Sequence, residues 1–236
     1  DLYRLVHGRY LAMHDPDEVE LGDLQDLVTD IDHTSLEDVG GLQDVKEDIH
    51  RDIIQPMRYP EQAEEAGVRP TNGAIFHGGP GTGKTLMARA IAGETDATFY
   101  NIDMSKLLDK YVGETEEHLD KLFQHAEQQD RAIMFFDEAD TSMPSRGDSD
   151  KEHTKNMTNT ILKRLDGFDD QHDVVAIAAT NRIEDMDEAA LRSGRIDDDY
   201  EFGLPDEQAR EEILDIHVNE VEERTDSEIF DDLEYE

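Results

Sequence analysis

The sequence predicts an α/β fold: a three-layer sandwich with a parallel sheet, followed by the start of a small helical unit. Two observations predict it. Short uncharged runs at Gly73 to Phe76, Thr98 to Ile102, Ala132 to Phe136 and Val174 to Ala179 have the length of strands, and the central ones are apolar at consecutive positions, as strands covered on both faces are. A weaker run follows at Tyr200 to Phe202. Between them lie helix-like stretches around Leu86 to Gly93, Glu116 to Gln128 and Asn156 to Leu165, and repeated strand and helix alternation builds a parallel sheet with helices on both faces.

Along the chain, residues 1–34 are acidic and loosely patterned, with a turn at Asp15-Pro16-Asp17, and read as an N-terminal segment or linker. The main α/β domain takes 35–204. Beyond Pro205 the stretch Asp206 to Leu214 opens a helix with an apolar stripe, and 205–236 reads as a small helical appendage with no further strand. At 236 residues the chain can bury one good core and a small second lobe. No internal repeat is present.

Composition narrows the class. Sixty acidic against 22 basic residues give a net charge of −38, which repels nucleic-acid phosphates and anionic membranes over most of the surface. The acid is spread over the whole chain, as in proteins adapted to high salt, where screening relieves self-repulsion; attraction of basic partners is the alternative. There is no cysteine, so disulfides and thiolate metal sites are excluded. No leader-like start and no stretch of about 20 apolar residues is found, so a cytoplasmic protein is expected. His118 and His125, two helical turns apart in a polar stretch, are expected to be solvated and not to bind metal.

The chemistry begins at GGPGTGKT, Gly78 to Thr85, between the first strand and its helix. Glycines let backbone N–H groups curl around an anion at a helix N-terminus, Lys84 can reach the β- and γ-phosphates of a nucleoside triphosphate, and the Thr85 hydroxyl suits Mg²⁺. A Gly-rich turn with a surface lysine is the bland alternative; the register of glycines, lysine and hydroxyl argues against it. Ile133-Met134-Phe135-Phe136 then delivers Asp137 and Glu138 to the C-terminal edge of the sheet, where ligands of open α/β folds sit. Asp137 suits the Mg²⁺ shell and Glu138 suits polarising the attacking water. Asn181, after the next strand, is placed to orient that water or touch the γ-phosphate. Arg192 and Arg195 lie three residues apart among aspartates and, by themselves, are as readily salt-bridge partners as catalytic groups.

From Thr34 to about Val218 the chain resembles AAA-family ATPases of the Cdc48-like, proteasomal-nucleotidase and FtsH-like group, as in a halophilic archaeon. The matching stretches occur in order: Ser35 to Leu42, Gly67-Val68-Arg69-Pro70, the phosphate loop with Gly78, Gly79, Pro80, Gly81, Thr82, Gly83, Lys84, Thr85 and Leu86, Asp137-Glu138, Ala179 to Arg182, and Arg192 to Asp197. The resemblance implies an ATP- and Mg²⁺-dependent P-loop ATPase that remodels, unfolds or threads protein substrates as a homo-oligomeric ring, usually a hexamer. Asp38 and Gly40 would contact the adenine through their backbone, Asn181 would sense the γ-phosphate, Arg192 and Arg195 would be arginine fingers for the neighbouring subunit, and His217 would be the lid histidine beside the base. Lys110-Tyr111-Val112-Gly113 matches a pore loop, in which Tyr111 grips a polypeptide; a tyrosine packed at a helix N-terminus is the alternative.

The chain departs from the family at Gly79 and Ile183, where relatives have proline, and at Ser193 between the two arginines. The helical lid of the family continues beyond what residues 205–236 supply, so a partial lid is expected. Two other classes were open: Asp137-Glu138-Ala139-Asp140 spells the DEAD-box helicase motif, against which the missing basic track argues, and a nucleotide-dependent scaffold or switch would need little hydrolysis. A nucleic-acid-remodelling ATPase is the third reading.

Overall fold

The computed structural model describes residues 19, 21–29, 34–68, 71–104, 107, 115–137, 174–183 and 198–225; the helix expected around Asn156 to Leu165 lies outside them. Six strands form one sheet: β1 (Val28–Thr29), β2 (Gly73–Gly78), β3 (Thr98–Asp103), β4 (Ala132–Asp137), β5 (Val174–Thr180) and β6 (Asp198–Phe202), in the order β1-β3-β4-β5-β2-β6. The five expected strands are all present, each one or two residues longer than the run that predicts it. They pair in parallel, with Ile75 beside Ala178, Phe76 beside Tyr200 and Ile133 beside Phe99. Strand β1 was not expected. It pairs antiparallel with β3, Val28 opposite Tyr100, so the stretch read as a linker contributes to the sheet, and Leu21 and Leu24 before it are buried in the core.

Alternation along the strands separates two cores. Phe76, Phe99, Ile133, Phe135, Ile177, Ala179, Tyr200 and Phe202 face α1 (Gln43–Ile49) and its continuation through a π-helical turn (His50–Ile54) into α2 (Gln55–Arg58), together with α4 (Lys84–Thr95). Tyr100, Ile102, Met134, Phe136 and Ala176 face α5 (Thr115–Glu127) through Leu119, Leu122, Phe123 and Ala126. Each Leu, Ile, Met or Phe among them removes a whole apolar side chain from water, about 1.5–3 kcal/mol apiece. Helix α3 (Pro60–Ala66) follows α2, and α6 (Glu207–Thr225) follows β6. No described helix is long and apolar enough to cross a membrane.

Two expectations change here. His125 is not merely solvated: its Nδ1 lies 2.6 Å from the hydroxyl of buried Tyr100, and the His118 Nδ1 is buried as well. Tyr100 offers a polar tip under the helix, and that is what turns the His125 imidazole inward. Burial of that tyrosine pushes its hydroxyl pKa up.

Candidate nucleotide site

At the C-terminal edge of the sheet, β2 runs into a loop that returns as α4. Three glycines set its path: Gly78, Gly81 and Gly83 have φ of 145°, 74° and 93°, a region side chains rarely enter. Gly78 is also fixed by packing, because a Cβ there would overlap the carbonyl oxygen of Phe202 on β6. At Gly81 and Gly83 a Cβ would meet nothing within 4 Å. The loop is therefore an open cradle at these two positions.

Lys84 opens α4 and is only 8% exposed. Its ammonium donates to the carbonyl oxygens of Gly78 and Gly79, each at 2.8 Å, and to Asn181 Oδ1 at 3.1 Å. The Thr82 hydroxyl donates to the same Gly79 carbonyl at 2.9 Å. A buried cation needs such oxygens, and they hold it inside the cradle at the helix N-terminus. Asn181 follows β5 directly; the Thr180 hydroxyl accepts the Arg182 N–H at 2.9 Å and shapes the turn that presents the amide. The sheet register sets Thr180 beside His77, one residue before Gly78, which brings Asn181 to the loop.

Thr85, half-buried, is the second residue of α4, and Asp137, also half-buried, ends β4 beside Asp103 of β3. A hydroxyl and a carboxylate are hard oxygen donors of the kind Mg²⁺ takes, and that ion keeps its other positions for phosphate and water. By their chemistry these two donors fit a metal brought in with phosphate; among the described residues no group of three or more His, Asp or Glu could hold one. Glu138, Arg192 and Arg195, and the segment Lys110, Tyr111, Val112 and Gly113, lie outside the described residues.

Beside the cradle is a cavity of about 520 Å³, within the range of small-ligand pockets. One wall is Val39 to Val45, a second is Gly81, Thr82, Gly83 and Leu86, and the third is Gly203 to Asp206 with Gln208, Ala209, Glu212, Ile213 and His217 of α6. Gly40 and His217 both line this cavity. Asp38 stands just before the wall, and its carboxylate accepts the Ser35 N–H at 2.6 Å, closing a capping box over the turn Leu36–Asp38; only its backbone leads towards the cavity. His217 is at the rim, with Nδ1 3.6 Å from Glu220.

Sequence reasoning missed how the first wall meets the third. A Cβ on Gly40 would come within 2.7 Å of the Ile213 nitrogen, and one on Gly41 would run into Ala209. The Gly41 N–H donates to Glu212 Oε2 at 2.9 Å. That bond, followed by one from Gln208, holds the Glu212 carboxyl below the usual carboxylate range. Partial burial lowers the Lys46 ammonium, an effect that the neighbouring Glu212 charge opposes. The adjacent glycines 40 and 41 were the available signal: two missing side chains in a row mark a close approach.

Residues 74–204, which hold the phosphate loop, Lys84 and Asn181, match the model described as "ATPase family associated with various cellular activities (AAA)". The chain belongs to the AAA ATPase family. Membership carries nucleotide binding. This AAA chain is 40% identical over 182 residues to Protein CdcH of Halobacterium salinarum, covering 77% of this chain and 24% of that protein. It is 42% identical over 200 residues to proteasome-activating nucleotidase 2 of the same organism, covering 83% and 48%. Against the cell division cycle protein 48 homolog of Archaeoglobus fulgidus it is 38% identical over 201 residues, covering 85% and 27%. The chain spans about a quarter to a half of the length of these curated relatives.

Proposed function

We propose that this AAA chain hydrolyses ATP to ADP and phosphate with Mg²⁺, and that it does so in a homo-oligomeric ring, a hexamer, that remodels, unfolds or threads protein substrates. The observation that carries the reading is the Lys84 ammonium, held in an open glycine cradle at a helix N-terminus with the Asn181 amide against it. A positive charge seated there answers the terminal phosphates of a nucleotide. In this reading Gly78 to Leu86 wrap the phosphates, and Asp38, Gly40 and His217 flank the base. Thr85 and Asp137 would hold Mg²⁺, which when bound neutralises phosphate charge. Glu138 polarises the attacking water, and Asn181 reads the γ-phosphate. Arg192 and Arg195 complete the site of the neighbouring subunit.

Work on a polypeptide is supported by the relative named for activating a proteasome, and Tyr111 within Lys110 to Gly113 is the residue assigned to grip it. Residues 35–204 are taken as the ATPase domain, 205–236 as part of a helical lid and 1–34 as the segment leading in. A cytoplasmic setting and a halophilic source fit the −38 charge.

ATP turnover per subunit, measured against protein concentration in molar KCl for wild type and Arg195→Ala, tests the ring. Turnover should rise as subunits assemble and collapse in the variant. A rate that is flat with concentration and indifferent to Arg195 overturns it. Tyr111→Ala should keep turnover and lose unfolding of a tagged substrate; retained unfolding overturns the pore assignment.

A further inference from the structure

The cavity beside the phosphate loop exists only where α6 lies against Val39 to Val45, two stretches far apart in sequence. The two stretches approach closely at Gly40, where an added Cβ would stand 2.6 Å from the Ile213 side chain. Gly40 leaves no room for a Cβ beside the Ile213 nitrogen and Cα, 2.7 and 2.9 Å from where it would stand. At the same place the Gly41 N–H donates to Glu212 Oε2 at 2.9 Å, and Gln43 Nε2 reaches the same oxygen at 3.4 Å. The other oxygen, Oε1, accepts Gln208 Nε2 at 3.1 Å, one turn back on α6. Glu212 is thus oriented by its own helix and spends its outward oxygen on the opposite wall. Leu214 and Val221 of α6 are left exposed.

We infer that Glu212 is a positioning residue that latches α6 over the cavity, so that the Glu212–Gly41 bond fixes how closed the nucleotide site is. The inference rests on the nucleotide reading only for what enters the cavity; the latch itself is a property of the fold. A carboxylate accepting a backbone N–H makes a strong hydrogen bond that fixes direction. Glutamine keeps an acceptor in that place and alanine does not, which separates the bond from the charge.

The test uses the full chain in molar KCl. Nucleotide-free Glu212→Ala should exchange amides faster over residues 39–45, while Glu212→Gln exchanges as wild type does. Calorimetric titration with ADP in EDTA should show roughly five- to tenfold weaker binding for Glu212→Ala, the size of one lost hydrogen bond, and within about twofold of wild type for Glu212→Gln. Gly40→Ala, which pushes α6 away sterically, should weaken ADP to a similar degree and add little on top of Glu212→Ala, because both open one contact. Unchanged exchange over 39–45 in Glu212→Ala, or full additivity with Gly40→Ala, overturns the latch. Faster exchange in a protein whose wild type binds no ADP keeps the latch and removes the nucleotide reading instead.

Discussion

Gly78 and Gly79 are neighbours in the phosphate loop, and one substitution should act on them with opposite signs. At Gly79 a Cβ would meet only Thr82 Cγ2, at 3.9 Å, and the backbone there is outside the left-handed region. Alanine then narrows the unfolded ensemble without straining the fold, so Gly79→Ala should stabilise by about 0.4–1 kcal/mol. Gly78 has φ +145°, and its Cβ would overlap the Phe202 carbonyl in the β2–β6 ladder, where the two residues are register partners. The backbone conformation alone costs a side chain roughly 1–3 kcal/mol. Relieving the overlap moves β6 and loosens Phe202, which packs on Phe76 with ring centroids 4.8 Å apart. With part of one aromatic burial at stake, Gly78→Ala should destabilise by about 2–4 kcal/mol. Urea unfolding in molar KCl, read by circular dichroism, gives the midpoints at a common slope. A Gly78→Ala midpoint at or above that of Gly79→Ala would overturn both assignments.

Three further outcomes are expected. Asp206→Ala removes the cap that accepts the Ala209 N–H at 2.8 Å; the loss of about 0.5–2 kcal/mol should appear as faster amide exchange in the first turn of α6, and unchanged exchange would count against the cap. Asn181→Asp keeps an oxygen on the Lys84 ammonium but sets a negative charge where the γ-phosphate must sit, so it should bind a non-hydrolysable ATP analogue about tenfold more weakly than Asn181→Ala; equal affinities in calorimetry would show that Asn181 does not face that phosphate. Raising KCl from 0.1 to 1 M shortens the screening length from about 10 to 3 Å, and the thermal midpoint should rise by several degrees if the −38 charge opposes folding; a falling midpoint would sink that reading.

The parallel strands were legible because burial on both faces removes polar residues from consecutive positions, as in Ala132 to Phe136, all buried. The phosphate loop was legible because its backbone path demands glycine. Strand β1 was not: two residues, Val28 and Thr29, carry no period. The helical stretch from Gln43 to Arg58 was hidden by its charges, although Val45, Ile49, Ile53 and Met57 recur every fourth residue and the last three are buried. A spacing of four drifts around a regular helix, and the wider π turn at His50–Ile54 brings the stripe back to the sheet. The contact of Gly40 and Gly41 with α6 could not be read from either stretch alone, since it joins residues about 170 apart.

In the strand order β1 and β6 occupy opposite edges of the sheet, and α6 continues from β6. A pull between Val28 and Phe202 is therefore carried sideways through five hydrogen-bonded ladders in series, loaded like a zipper. The weakest is the two-residue pairing of β1 with β3. It acts as a mechanical fuse: under tension the leading segment peels from Tyr100 first, while the five parallel strands that carry the phosphate loop stay together. Optical-tweezer traces with handles at residues 28 and 202 should show a small extension step before the main rupture, and a single rupture would argue that β1 and the sheet yield as one.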